Sequence, residues 1–174
     1  MRFEASVLRE GIRRSAAREQ RDPEKRDHEE RRGSYAAPVN IHALMLADSA
    51  QAVDGKLYIL GGAWNVLRFP EFPAQLIVGI AVAIDVDWNE TNRRHHLDVH
   101  FEDADGNRMD PTIGADFEAG RPPGAVAGAD LRIVFAVNGP LQIVAPGSYA
   151  AVASIGGEAL ARARFQAIKV ARPS

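Results

Sequence analysis

The chain has no cysteine in 174 residues. That absence excludes disulfides, thiolate metal sites and cysteine nucleophiles, and it suits a reducing cytoplasm better than an oxidising compartment. Long hydrophobic runs are missing too. The longest, residues 76–84, is far too short to cross a bilayer as a helix. Arg13-Arg14 is followed by no apolar stretch, so neither a secretory nor a twin-arginine signal is expected. Nor is there an excess of one charge. The formal net charge of −2 gives no electrostatic reason to expect nucleic acid or an anionic membrane as a partner. Nucleophile motifs are equally scarce: Ser49, Ser148 and Ser154 lie outside any Gly-x-Ser-x-Gly setting, and no glycine-rich phosphate loop occurs.

What is present divides near Pro38. Residues 1–37 hold ten basic and eight acidic side chains, interleaved rather than segregated. Their few large apolar residues (Phe3, Val7, Leu8, Ile12) bury too little surface to offset the entropy of ordering. The expectation is a charged N-terminal tail, disordered or partly helical, with Gly11 interrupting any helix and Pro23 ending it. Residues 38–171 are expected to form one β-sandwich domain.

From Val39 onward the pattern is β. Residues 41–46 read as a first strand, Asp54-Gly55 as a turn and residues 56–60 as the next strand. Gly61-Gly62 interrupts that run before it resumes over 63–69, as at a bulge or corner. In residues 76–86, Leu76, Val78, Ile80, Val82, Ile84 and Val86 alternate onto one face. Ile77, Gly79, Ala81 and Ala83 line the other, which is the pattern of a central strand. Further strands follow at 95–101 and 113–117. Another covers 131–137, where Asn138-Gly139-Pro140 is expected to break the run. Residues 149–155 and 158–170 form a closing hairpin about Gly156-Gly157.

Just upstream of that hairpin stands Leu141-Gln-Ile-Val-Ala-Pro146-Gly147-Ser-Tyr149, which has the form of a tyrosine corner. In that device a tyrosine at a strand start turns its hydroxyl back onto the preceding chain. Together these signals predict an all-β, immunoglobulin-like antiparallel sandwich of about seven to nine strands.

Ile41-His-Ala-Leu-Met-Leu-Ala-Asp-Ser-Ala-Gln51 and Gly55-Lys-Leu-Tyr-Ile-Leu-Gly-Gly-Ala-Trp64 resemble the opening of a family of short bacterial, often actinobacterial, proteins of unknown function. The likeness continues through Arg121-Pro-Pro-Gly124, Phe135-Ala-Val-Asn138 and the Pro-Gly-x-Tyr hairpin, so it covers about residues 41–170. It implies no activity and no catalytic residues. Proteins of that family typically begin near Ile41, so residues 1–37 depart from the pattern.

Three constellations are candidates for chemistry or binding. His96, Asp98 and His100 alternate along one strand and share a face, a workable metal geometry that His42 could join only from another strand. Against a metal, Leu97, Val99 and Phe101 claim the core side, which leaves the polar three to face water together. Trp88 in its polar loop and Arg121 in the next irregular stretch are candidates for a ligand or partner surface, whereas Trp64 reads as core within an apolar strand. Asp103, Asp105 and Asn107 with Gly106 suit a hairpin turn better than a calcium loop, for no Glu completes the spacing. Pro146, Gly147, Tyr149, Gly61, Gly62 and Trp64 are structural candidates.

The function expected is a non-enzymatic module that binds another protein or itself. No cofactor, nucleic acid or membrane is expected. The alternatives are a small metal enzyme using His96, Asp98 and His100, and a small-ligand module.

Overall fold

The computed structural model describes residues 38–171, so the expected tail, residues 1–37, lies outside the described residues. Ten strands follow in chain order: β1 Val39–Ala47, β2 Ser49–Val53, β3 Lys56–Leu60, β4 Val66–Phe69, β5 Ala74–Val86, β6 Arg94–Glu102, β7 Arg108–Glu118, β8 Leu131–Ile143, β9 Gly147–Ile155 and β10 Glu158–Lys169. The domain is all-β, with one 3-10 turn at Trp88–Glu90. No helix among the described residues is long and apolar enough to cross a membrane.

The strands make a three-stranded sheet in the order β1-β5-β8, a five-stranded sheet in the order β4-β10-β9-β6-β7, and the separate hairpin β2-β3. The period-2 pattern of β5 accounts for its central place. Val78, Ile80, Val82, Ile84 and Val86 are buried on one face, against Leu97, Val99, Phe101, Tyr149, Ala151, Ala153 and Phe165 of the five-stranded sheet. Each such side chain contributes roughly 1.5–3 kcal/mol on leaving water. Phe165 is the aromatic hub. Its ring stacks on Tyr149 at 5.6 Å and meets Trp64 edge-on at 5.4 Å.

Two-residue turns with positive φ at both positions close two hairpins. They are Asp54-Gly55 between β2 and β3 and Gly156-Gly157 between β9 and β10, the twist that strand pairs require.

Four local expectations need correction. Asn138-Gly139-Pro140 does not break β8, which pairs with β5 without interruption from Leu131 to Ile143. The reason is that β8 lies at a sheet edge, where proline's missing N–H is tolerated. The antiparallel expectation fails at β4, which runs parallel to β10. Only a tight hairpin forces reversal, and β4 arrives by an irregular crossing, residues 61–65, to meet a strand about a hundred residues later. For the same reason the strand resumes at Val66 rather than at residue 63, and Trp64 sits in that crossing, half-buried against the core. The strands number ten rather than seven to nine, because Ser49–Val53 also forms a ladder, with Lys56–Leu60.

Candidate functional site

His96, Asp98 and His100 do share the outer face of β6, as alternation requires, but they do not meet water together. His96 is exposed, and its ring bonds through Nδ1 to Asp116 Oδ1 of β7 at 2.6 Å. His100 is buried, 6% exposed. Its Nε2 lies 3.0 Å from Glu102 Oε1. Its Nδ1 lies 2.8 Å from an Arg108 guanidinium nitrogen and 3.2 Å from Asp98 Oδ1. The geometry fits one tautomer, with Nε2–H donating to Glu102 and Nδ1 accepting from Arg108. Arg108 also pairs with Asp98, and Arg162 of β10 with Glu102.

The expectation of an exposed histidine fails here for a topological reason. β7 carries extra residues around Pro111 opposite His100, since Val99 pairs with Ile113 but Phe101 with Met109. Arg108 reaches across from beyond that bulge, while Arg162 reaches from a strand sixty residues away.

The result is a charge-paired cover. Val152 lies on the outer face between Arg162 and His100 in register, yet it is 1% exposed. Arg162 above all, then His100, holds the Glu102 carboxyl below the usual carboxylate range. The His96 bond does the same for Asp116. Arg132, joined to Asp85 by bonds of 2.8 and 3.1 Å, lowers that carboxyl most. His42 is engaged there, 3.1 Å from Asp85 on the three-stranded sheet, and does not approach His96 or His100 as a ligand. No group of three or more His, Cys, Asp or Glu among the described residues is arranged to hold a metal ion. Beside the network lies a shallow depression of about 210 Å³ that includes Asp103, Ser148, Ala150 and Arg164.

Trp88 and Arg121 are brought together. The Arg121 guanidinium carbon sits 4.2 Å from the centre of the Trp88 ring, its Nε donates to Thr91 Oγ1 at 2.7 Å, and its second nitrogen donates to the Trp88 carbonyl at 2.9 Å. Arg121 therefore pins the start of the irregular 119–130 segment to the 3-10 turn. Asp103 closes the β6-β7 turn by accepting from the amides of Asp105 and Asn107. Bonds from Asn107 above all lower its carboxyl.

The Tyr149 hydroxyl donates to the Ala145 carbonyl at 2.6 Å across the exposed Pro146-Gly147 turn. Gly61 adopts positive φ, and a Cβ there would strike the Asp48 carboxylate; one on Gly62 would meet Ile59 and Met45. The indole N–H of Trp64 is buried without an acceptor.

Residue-by-residue reading passed over one surface altogether. The β2-β3 hairpin lies on the outer side of the three-stranded sheet. Gly79 leaves room for it, because a Cβ there would come within 2.7 Å of Ala50 and Ser49 backbone atoms. Asn138 bonds both backbone groups of Ala50. One hairpin face carries Val53, Tyr58 and Leu60, which are 45, 56 and 71% exposed. Period-2 alternation in residues 56–60 is visible in the sequence. Nothing there says that a hairpin this apolar would lie outside both large sheets.

A comparison with curated proteins found no match. Among solved structures, one that resembles the chain is the Pseudomonas fluorescens alkylpurine DNA glycosylase AlkC bound to DNA containing an abasic site analog. The identity is 13% and the TM-score 0.41, over 78% of this chain and 31% of that one, so this chain spans about a third of the glycosylase and the likeness carries no functional argument. Residues 42–168 match a family of unknown function, DUF6941, over nearly all of the β region in which the opening motifs, Asn138 and the Tyr149 turn lie, and the chain belongs to that family.

Proposed function

We propose that this domain is an immunoglobulin-like β-sandwich acting in the cytoplasm as a non-enzymatic protein-interaction or assembly module. The face of the β2-β3 hairpin carries the reading: Val53, Tyr58 and Leu60 stand exposed side by side on a hairpin that Asn138 bonds and for which Gly79 leaves room. Clustered exposed apolar side chains on a fixed scaffold are what partner surfaces require. The immunoglobulin-like assignment draws support from the Tyr149–Ala145 bond and from the core shared by two sheets. The alternatives are less well supplied. His96 and His100 are each matched to different carboxylates, and Arg121 already covers a face of Trp88.

A Tyr58→Ser, Leu60→Ser double variant tests the proposal against the wild-type chain. In cross-linking with extract of the source cells, the wild type is expected to form a stoichiometric complex with itself or one other protein, and the double variant to lose it with an unchanged circular dichroism spectrum. A wild type that retains no protein and stays monomeric would sink the reading. So would stoichiometric metal that survives dialysis and is lost in a His96→Ala, His100→Ala variant.

A further inference from the structure

We infer that β3 pairs antiparallel with β3 of a second copy of this chain, about a two-fold axis at Tyr58. The inference rests on the interaction-module reading and names its partner. Its starting point is the pair of bonds at Ala50, whose N–H goes to Asn138 Oδ1 at 2.9 Å and whose carbonyl accepts from Asn138 Nδ2 at 2.8 Å. Both groups of Ala50 thus point away from β3. In an antiparallel ladder, inward- and outward-pointing residues alternate along each strand, and residues opposite one another share the same sense. Ile59 faces Ala50 and Leu57 faces Ala52, so Ile59 and Leu57 direct their N–H and C=O groups away from β2. No strand among the described residues pairs with that edge.

Other edges are blunted in recognised ways, β1 by a register shift between Ile41 and Ala43. β7 carries Pro111 with Asp110, Asp116 and Glu118, β8 carries Pro140, and β4 is four residues long with Arg68 in it and Pro70 just after it. β3 has no such device. Its residues 57–60 are Leu-Tyr-Ile-Leu, and its single charge, Lys56, stands at the first position.

That charge selects the arrangement. Parallel pairing of two copies would set the lysines side by side. Antiparallel pairing, with Leu57 against Ile59 of the other copy, sends them to opposite ends of the joint, where each Lys56 lies against the other copy's Leu60. The lysine stem then covers the side chain that is 71% exposed in the single chain. Tyr58 meets its mate across the axis in the non-hydrogen-bonded position, where cross-strand side chains approach closest. The edge is its own complement, which a two-fold dimer requires. Two five-residue strands bury less than the roughly 1,600 Å² of a standard stable interface, so association is concentration-dependent.

Sedimentation equilibrium and amide exchange by NMR, over about 10 μM to 1 mM of the full chain, test this. The expected result is a monomer–dimer equilibrium in which the Leu57 and Ile59 amides gain about tenfold or more protection with concentration. The Tyr58 and Leu60 amides, already bonded within the hairpin, should not change. Tyr58→Lys, which sets like charges on the axis, should abolish the dimer with an unchanged melting temperature, while Tyr58→Phe should keep it. A chain monomeric throughout, or a dimer that survives Tyr58→Lys, overturns the inference. A monomer that still captures a different protein through Tyr58 and Leu60 leaves the interaction-module reading standing; a monomer that captures nothing ends both.

Discussion

Single hydrogen bonds fix several of this domain's corners. Tyr149 is 6% exposed and spans the Pro146-Gly147 turn through its hydroxyl. Tyr149→Phe removes the donor and strands the Ala145 carbonyl, so a loss of about 1–2 kcal/mol is expected in urea denaturation. Arg121 works similarly at the other irregular segment. Arg121→Ala should release residues 119–130, exposing Trp88 to water with a red shift in its fluorescence, at a stability cost of about 0.5–1 kcal/mol. Carboxylates carry the pH dependence. Asp85 and Glu102 both have folded pKa values below their ordinary ones, chiefly through Arg132 and Arg162. The unfolded chain therefore binds their protons more readily. Their stabilisation is full above the ordinary carboxylate range and is lost as pH falls through that range to the lower folded values. Arg132→Ala should flatten the acid side of the stability profile, measured as denaturation midpoint between about pH 6 and 3. An unchanged slope would show that Asp85 is not the group responsible.

Among the elements, the β2-β3 hairpin joins neither large sheet, so the contacts that dock it are informative to perturb. Asn138→Ala leaves the N–H and carbonyl of Ala50, a residue 1% exposed, without partners. The expected cost is about 1–3 kcal/mol. Limited proteolysis should then cut faster at Asp54-Gly55 while the closing β9-β10 hairpin stays resistant. Gly79→Ala attacks the same docking from below: its Cβ meets backbone rather than a flexible side-chain end, so the hairpin must lift. If proteolysis at residue 54 were unaffected in both variants, the hairpin would be held by something other than these two contacts. The elements also divide by legibility. β5 and the β9-β10 hairpin follow from alternation and turn residues alone, because every determinant is local. β4 does not, since its parallel partner is set by where the crossing chain lands on β10.

At the scale of the whole molecule, one core joins the two large sheets, and Phe101 stands among its fully buried side chains. Phe101→Ala should cost about 3–5 kcal/mol and lower the midpoint of the whole domain in a single transition, as expected for one cooperative unit. Separate melting of the two sheets, seen by near-UV and far-UV dichroism, would contradict that.

The sequence by itself determined what depends on neighbours along the chain. It specified the strand faces, because pleating puts alternate side chains on opposite sides. It specified the turns, through residues that tolerate positive φ, and the Tyr149 corner, whose donor and acceptor are four residues apart. It also placed His96, Asp98 and His100 on one face. Tertiary structure alone decided what that face became, since the bulge of β7 and the reach of Arg108 and Arg162 turned an expected exposed row into a buried imidazole under ion pairs. Likewise it alone set the β2-β3 hairpin outside both sheets and left the edge of β3 unpaired among the described residues. The physical reason is common to both cases: burial and pairing are relations between segments distant in the chain, and no local period records which strand will lie beside which.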